Sequence, residues 1–279
     1  MIAITGASGY LGGLLCADLA RRGQVVRRLV RAPEASRGDV RFALGEPVGA
    51  QALAGVETLI HAAYDFRHHR EGDLRRVNVD GSRRLFEAAA GAGVRRLIFI
   101  SSIASYAGSR SAYGRVKWAL EQGVTAAGGT SLRPGLVFGR ERGGLFASLD
   151  RVIRAAPLLP DFGAAALLYV VHSGDLLEIV NASLANETPS LLPAAWPTPF
   201  TMRRALEIVA EEAGVAARFV PAPPGLALAG LRTLEAGGLH LPFRSDSLVS
   251  MLHTNPSPQL SPEVLGVRLR PLDVHTLRE

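Results

Sequence analysis

The chain has 279 residues, 48 % of them hydrophobic and 20 % charged, a balance that belongs to folded globular proteins and excludes a disordered one. Its formal charge is +6, which favours an anionic cofactor, but six Arg-Arg pairs (Arg21-Arg22, Arg27-Arg28, Arg75-Arg76, Arg83-Arg84, Arg95-Arg96, Arg203-Arg204) are scattered among only 6 % aromatic residues, which argues for solvated helix surface and against nucleic-acid binding. No run of about 20 apolar residues is free of charge or proline, so no membrane span is expected; the one cysteine, Cys16, excludes an intrachain disulfide, and together with the lack of a secretory leader before MIAITGASG it points to a cytoplasmic protein.

The elements alternate. IAIT (2–5) is a short apolar strand that runs into TGASGYLG, and a helical pattern carried by Leu11, Leu14, Leu15, Leu19 and Ala20 follows. QVVRRLVR (24–31) and VRFAL (40–44) read as strands two and three, and TLIHAAY (58–64) as the fourth. VNVDGSRRLFEAAAGAG (77–93) is a helix closed by glycines. RRLIFISS (95–102) is a continuous apolar strand, as in a sheet covered on both faces. SAYGRVKWALEQGV is the next helix, and TSLRPGLVFG (130–139) the sixth strand with its exit loop. Strands alternating with helices predict an α/β fold, a Rossmann doubly wound parallel sheet over 1–185. Beyond about 186 prolines become dense, and FTMRRALEIVAEEAG is an amphipathic helix; residues 186–279 read as a smaller C-terminal substrate cap, partly interleaved with the first domain.

Three features carry chemistry. Gly6, Gly9 and Gly12 stand three apart between a strand and a helix, the spacing of a dinucleotide-phosphate turn, with Ser8, Tyr10 and Leu11 inside it. The second strand ends at Val30-Arg31 with no carboxylate until Glu34. A fork at Arg31 suits a 2′-phosphate, so NADP is favoured over NAD. Tyr113 and Lys117 are four residues apart, on one face of a helix. A free tyrosine has a pKa of about 10, and a nearby ammonium favours its phenolate, as an acid/base near neutrality requires. Ser101 and Ser102 end the fifth strand, where ligand sites of open α/β sheets form.

Lys117 is also the only lysine; the other 30 of the 31 basic side chains are arginine. On a solvated helix face the two are nearly interchangeable. They diverge where a compact ammonium is needed. The survivor therefore points to a chemical requirement at this position.

With these residues in view, the chain resembles the short-chain dehydrogenase/reductase superfamily, in its extended branch of NAD-dependent epimerases, dehydratases and dihydroflavonol reductase-like enzymes. TGASGYLG resembles its cofactor turn, LIHAAY the strand whose Ala62 and Ala63 line the cofactor, and VNVDGSRRLFEAA its Asn-xx-Gly helix, with Asn78 in support. RLIFISSIAS and YGRVK match the catalytic serine, tyrosine and lysine, which the resemblance places at Ser102, Tyr113 and Lys117, with Ser101 beside them on the cofactor side. SLRPGLVFG resembles the loop behind the nicotinamide, with Arg133 and Pro134, and YVVHSGDLLEIV the later Val-His-x-x-Asp segment. The resemblance implies hydride transfer at the nicotinamide, a tyrosine acid/base and a lysine that also holds the ribose hydroxyls. The connection from Ser102 to Tyr113 is shorter than in most extended members, and Gly45-Glu46 stands where Gly-Asp usually meets the adenine.

The resulting expectation is an NADP-dependent oxidoreductase for a small, fairly apolar ketone or secondary alcohol, compatible with a homodimer. The apolar segments PAPPGLALAGLR and GLHLPF motivate the substrate class. A nucleotide-sugar epimerase or dehydratase is the alternative, with Arg203, Arg204, Arg232 or Arg244 to clamp a diphosphate; a non-catalytic NADP-binding sensor is the third reading. His68-His69 reads as a solvated loop and no metal is expected. His61 and His172 read as structural, and Cys16 as core.

Overall fold

A computed structural model describes every residue except His69, Ala156, Pro157, His240 and Pro242. His69 of the histidine pair, and His240 and Pro242 of the GLHLPF segment, thus lie outside the described residues. The elements run β1 (Ile2–Thr5), α1 (Tyr10–Arg21), β2 (Val26–Val30), β3 (Val40–Arg41), α2 (Ala50–Leu53), β4 (Thr58–His61), α3 (Glu71–Leu74), α4 (Gly81–Gly91), β5 (Arg96–Ile100), α5 (Ala112–Ala126), β6 (Thr130–Pro134) and β7 (Leu136–Phe138). They continue as α6 (Gly144–Ala155), β8 (Leu158–Asp161), β9 (Leu167–Leu168), β10 (Val170–His172), α7 (Ser173–Ala185), β11 (Leu191–Ala194), β12 (Phe200–Thr201), α8 (Met202–Ala213), β13 (Arg218–Pro221), α9 (Pro224–Ala236), α10 (Ser245–Leu252), β14 (Glu263–Val264) and β15 (Val267–Arg268).

Seven strands form one sheet in the order β11-β6-β5-β4-β1-β2-β3, and every neighbouring pair from β6 to β3 is parallel. This is the doubly wound Rossmann sheet. Its strand order reverses between β1 and β4, whose ends are level, with Thr5 opposite His61. Ligands of such sheets bind beyond the carboxyl ends at this reversal. All four residues of β1 are buried, as are the last four of β5, because helices cover both faces.

Two compact units divide the chain. The first comprises 1–102, 116–133 and 183–192; the second comprises 103–115, 134–182 and 193–279. Residues 134–182, which the sequence reading grouped with the nucleotide-binding part, thus belong to the second unit. The reason lies in local pairing. The predicted sixth strand breaks at Gly135, and β7 pairs with β10 instead of continuing the large sheet. The second unit has its own core, in which Phe138, Phe146, Leu149 and Ile153 pack with Leu206 and Val209 of α8. That helix opens on Thr201, whose side chain accepts from the Arg204 amide, and closes on Gly214 in the left-handed region.

Other differences are local. The strand predicted over 40–44 is only Val40–Arg41. The helix predicted from 77 begins at Glu71, and residues Arg75–Asp80 form a widened π-helical turn before α4.

Candidate active site

The glycine turn follows from steric necessity. Gly6 has φ +69°, and a Cβ there would lie 2.9 Å from Ala63 Cα. A Cβ on Gly12 would lie 2.2 Å from the Gly6 carbonyl oxygen, so the first turn of α1 can close on β1 only without a side chain. Gly9 caps α1 without a side-chain acceptor, its amide donating to Gly6 O at 2.8 Å, and no acidic residue stands in the first helical turn. The positive end of α1 thus has no side-chain cap and no acid in its first turn among the described residues, which fits a pyrophosphate. Ser8 is exposed in the turn, and Tyr10 and Leu11 are half-buried after it. Ala62 and Ala63 leave β4 beside Gly6, and the Ala63 amide donates to Thr5 Oγ1 at 3.1 Å.

Arg31 lies just past β2, exposed and without an ion-pair partner among the described residues. Its neighbours are committed: Arg28 Nε donates to Asp39 at 2.7 Å, and Arg41 pairs with Glu46 at 2.9 Å. Glu34, the first carboxylate after the strand, pairs with Arg37 at 3.0 Å. Glu46 is thereby turned to Arg41.

Behind the turn lies a buried polar brace. His61 shares hydrogen bonds with Thr5 Oγ1 through Nδ1 (2.7 Å) and with Ser82 Oγ through Nε2 (2.8 Å). Burial, reinforced by the nearby Lys117 charge, pushes its pKa down to about 3, so the ring is neutral and structural. Asn78, in the widened turn, accepts from the Asp65 amide at 2.7 Å and donates to the carbonyls of Asp65 and Leu74. Its side chain thus pins the loop leaving β4; this is the placement of a brace, and its polar atoms are engaged with backbone.

Helix α5 carries the predicted tyrosine and lysine one turn apart. Lys117 is 3 % exposed, and its Nζ donates to the Ile100 carbonyl at 2.7 Å. Nζ also lies 4.6 Å from the Phe99 ring centre and 5.2 Å from that of Tyr64. Burial pulls its pKa down to about 7, against the opposing pull of Glu121. Glu121, one further turn along, is buried and takes a two-point grip from Arg133, at 2.9 and 2.6 Å. It also accepts the Ser101 hydroxyl. The sequence reading put Ser101 on the cofactor side and Arg133 behind the nicotinamide; the structure turns both side chains to Glu121. Ser102, the next residue, is half-buried, and Pro134 is buried at the end of β6.

At the start of α5, Ser111 caps the helix by accepting from the Gly114 amide at 3.0 Å, and Asp246 of α10 accepts from the amides of Ala112 and Tyr113. The sequence reading missed Glu121, Ser111 and Asp246. Helical spacing from Lys117 exposes Glu121, and the Ser before the helix signals the cap; Asp246 has no local signal.

The remaining candidates are structural. His172 is buried, with the Gly174 amide donating to Nδ1 at 3.1 Å; burial and then Arg270 hold its pKa below the ordinary value. Asp175, three residues on, accepts from Arg270 Nε at 2.8 Å. Cys16 is buried and burial pushes its thiol pKa up. Among the described residues no cluster of three His, Cys, Asp or Glu side chains is placed to hold a metal, and no helix is long and apolar enough to cross a membrane.

A Rossmann sheet with a glycine turn at its strand reversal suits a nicotinamide dinucleotide, and the family that the chain matches makes it an NAD(P)-dependent oxidoreductase of the short-chain dehydrogenase/reductase type. Residues 2–156 match the family model "NAD dependent epimerase/dehydratase family", and the chain belongs to that family. It is 31 % identical to a ceramide reductase of Caulobacter vibrioides, over 96 % of this chain and 89 % of that protein. It is 39 % identical over 113 residues to sterol demethylase protein B of Methylococcus capsulatus, a match covering 36 % of this chain and 33 % of that one. Among solved structures, the UDP-glucose 4-epimerase of Thermotoga maritima with UDP-glucose superposes with a TM-score of 0.73 at 16 % identity, over 99 % of this chain and 96 % of that one, a likeness of fold.

Proposed function

We propose that the protein is an NADP-dependent reductase of an apolar ketone, or dehydrogenase of the corresponding secondary alcohol, with Tyr113 as general acid/base. The observation that carries this reading is the buried Lys117 amine, held on the Ile100 carbonyl one helical turn after Tyr113. A chain that uses arginine for every other cation keeps an amine in this slot.

The glycine turn and the uncapped end of α1 suit the pyrophosphate, and Arg31 suits a 2′-phosphate because no acid is free beside it. Bound there, a nicotinamide dinucleotide supplies or accepts the hydride. Ser102 donates its hydroxyl to the substrate carbonyl oxygen, and Tyr113 gives that oxygen its proton. In the reverse direction Tyr113 takes the proton from the alcohol. The charged form of Lys117 lowers the phenol pKa; bringing a tyrosine from about 10 to near 7 takes roughly 4 kcal/mol of differential interaction.

Three observations favour an apolar substrate over a nucleotide sugar. The alignment with the ceramide reductase runs nearly end to end. Of the four arginines suited to clamp a diphosphate, three are already paired: Arg203 with Asp161 and Glu207, Arg204 with Glu207, Arg244 with Glu235. In addition, α9 exposes Leu226 and Leu234.

The test follows NADPH and NADH oxidation at the nicotinamide absorbance. The substrates are 2-decanone, trifluoroacetophenone, UDP-4-ketoglucose and a ceramide whose secondary alcohol has been oxidised to the ketone, dispersed in detergent micelles. NADPH oxidation with the apolar ketones, lost in Tyr113→Phe, is expected. Turnover confined to the sugar nucleotide, or undiminished in Tyr113→Phe, overturns the reading.

A further inference from the structure

The first four backbone N–H groups of a helix have no acceptor within it. In α5 the amides of its first three residues are provided for, and the first bond within the helix runs from Arg115 N to the Ser111 carbonyl at 3.1 Å. Gly114 N donates to Ser111 Oγ at 3.0 Å. Ala112 N and Tyr113 N donate to the two carboxylate oxygens of Asp246, at 2.8 and 3.0 Å. Asp246 comes 133 residues after Tyr113 and is the second residue of α10. It is itself seated. Glu235 of α9 accepts from Ser245 N at 2.8 Å and from Ser245 Oγ at 2.6 Å, with Arg244 Nε 3.7 Å away. Helices α9 and α10 and the first turn of α5 are thus joined in series by carboxylates on amides.

Ser111 alone is a sufficient cap to start a helix. The added carboxylate does something different. It grips two consecutive amides, one of them Tyr113's own, and so fixes the peptide plane from which the tyrosine side chain departs. Its charge meets the positive end of the helix, which favours the grip. Proton transfer is sensitive to such placement, since a displacement of about 1 Å at a reacting group costs on the order of a hundredfold in rate. We propose that Asp246 is a positioning residue for Tyr113, holding the first turn of α5 in register while Glu235 and Ser245 hold Asp246. The proposal rests on Tyr113 being the acid/base.

The experiment compares full-length wild type, Asp246→Ala, Asp246→Asn and Tyr113→Phe. Amide hydrogen exchange is read in a peptide spanning 111–115 and in the sheet peptides spanning 2–5 and 96–100. Turnover is read as NADPH oxidation with the oxidised ceramide in micelles. In Asp246→Ala the 111–115 amides should exchange at least tenfold faster while the sheet is unchanged; kcat should fall about tenfold or more with the KM for NADPH unchanged. Asp246→Asn keeps the shape and one acceptor oxygen, and should fall between the two. Unchanged exchange in both variants overturns the proposal. So does faster exchange with wild-type kcat, provided Tyr113→Phe is inactive. If Tyr113→Phe turns over normally, it is the reading of Tyr113 that fails, and the positioning role falls with it.

Discussion

The Nζ of Lys117 donates to the backbone carbonyl of Ile100 at 2.7 Å, inside the first unit, with Phe99 and Tyr64 presenting their rings to it. Burial holds its pKa near 7, against 10.5 when free. Between those values the unfolded chain binds a proton that the folded one does not, so this residue makes stability rise with pH from about 7 to 10.5; below about 7 its burial penalty is present in full. The penalty is on the order of 5 kcal/mol in the empty protein. Lys117→Met should therefore be more stable than wild type at pH 6.5, and the two should converge by pH 10. Lys117→Arg should fall further below wild type as pH rises from about 7 to 10.5, because a guanidinium cannot shed its charge in that slot. Urea unfolding at pH 6.5, 8 and 9.5 measures all three; parallel pH profiles would remove Lys117 as the source. This gives the lone lysine a physical reason: an amine tolerates burial that an arginine does not.

Ser101 and Ser102 should separate cleanly on mutation. Ser101→Ala deletes a buried hydrogen bond to a carboxylate, worth about 1.5–3 kcal/mol, and should lower stability by that order while turnover per folded molecule persists. Ser102→Ala should do the reverse, lowering kcat by tenfold or more at nearly constant stability. Paired denaturation and kinetic measurements decide this, and an exchange of the two phenotypes would show that Ser101 faces the substrate.

Arg31→Ala should weaken NADPH binding by about tenfold to a hundredfold, the worth of a charge-assisted hydrogen bond, and leave NADH binding as it was. Nucleotide fluorescence titrations give both constants. Equal losses for the two cofactors would mean that Arg31 does not read the 2′-phosphate.

How much of this was legible follows from range in sequence. The glycine turn, Arg31 at a strand end and the i, i+4 pair Tyr113 and Lys117 are local patterns, and the structure gives each the element expected of it. Glu121 was equally local, since it continues the same helical spacing. The face to which Ser101 turns was not legible, because it depends on a strand end meeting a neighbouring helix. Residues 134–182 fall in the second unit because one break at Gly135 hands β7 to a partner, β10, that comes 34 residues after it in register, Val170 opposite Leu136 and His172 opposite Phe138. Asp246 lies beyond any sequence pattern, since only folding of the second unit brings it to Tyr113.

The short connection into α5 makes a last prediction at Gly114. A Cβ there would lie 2.1 Å from Ser109 Oγ, 2.3 Å from the Ala104 carbonyl oxygen and 2.9 Å from Ser111 Oγ. The segment 104–111 therefore lies directly on the first turn of α5, and only a glycine lets it. Gly114→Ala should cost about 1–3 kcal/mol through overpacking. Side-chain relief should not restore it. Ser109→Ala removes the nearest atom, but the Ala104 oxygen belongs to the backbone and can retreat only if the segment lifts from the helix. The double variant Gly114→Ala/Ser109→Ala should thus stay close to Gly114→Ala in melting temperature. Lifting the segment also disturbs Ser111, whose hydroxyl caps the turn that carries Tyr113, so kcat should fall together with stability. Melting temperature and turnover for the two single variants and the double variant give the answer. Recovery of both in the double variant would mean that Ser109 alone makes the fit tight and that the backbone has room to spare.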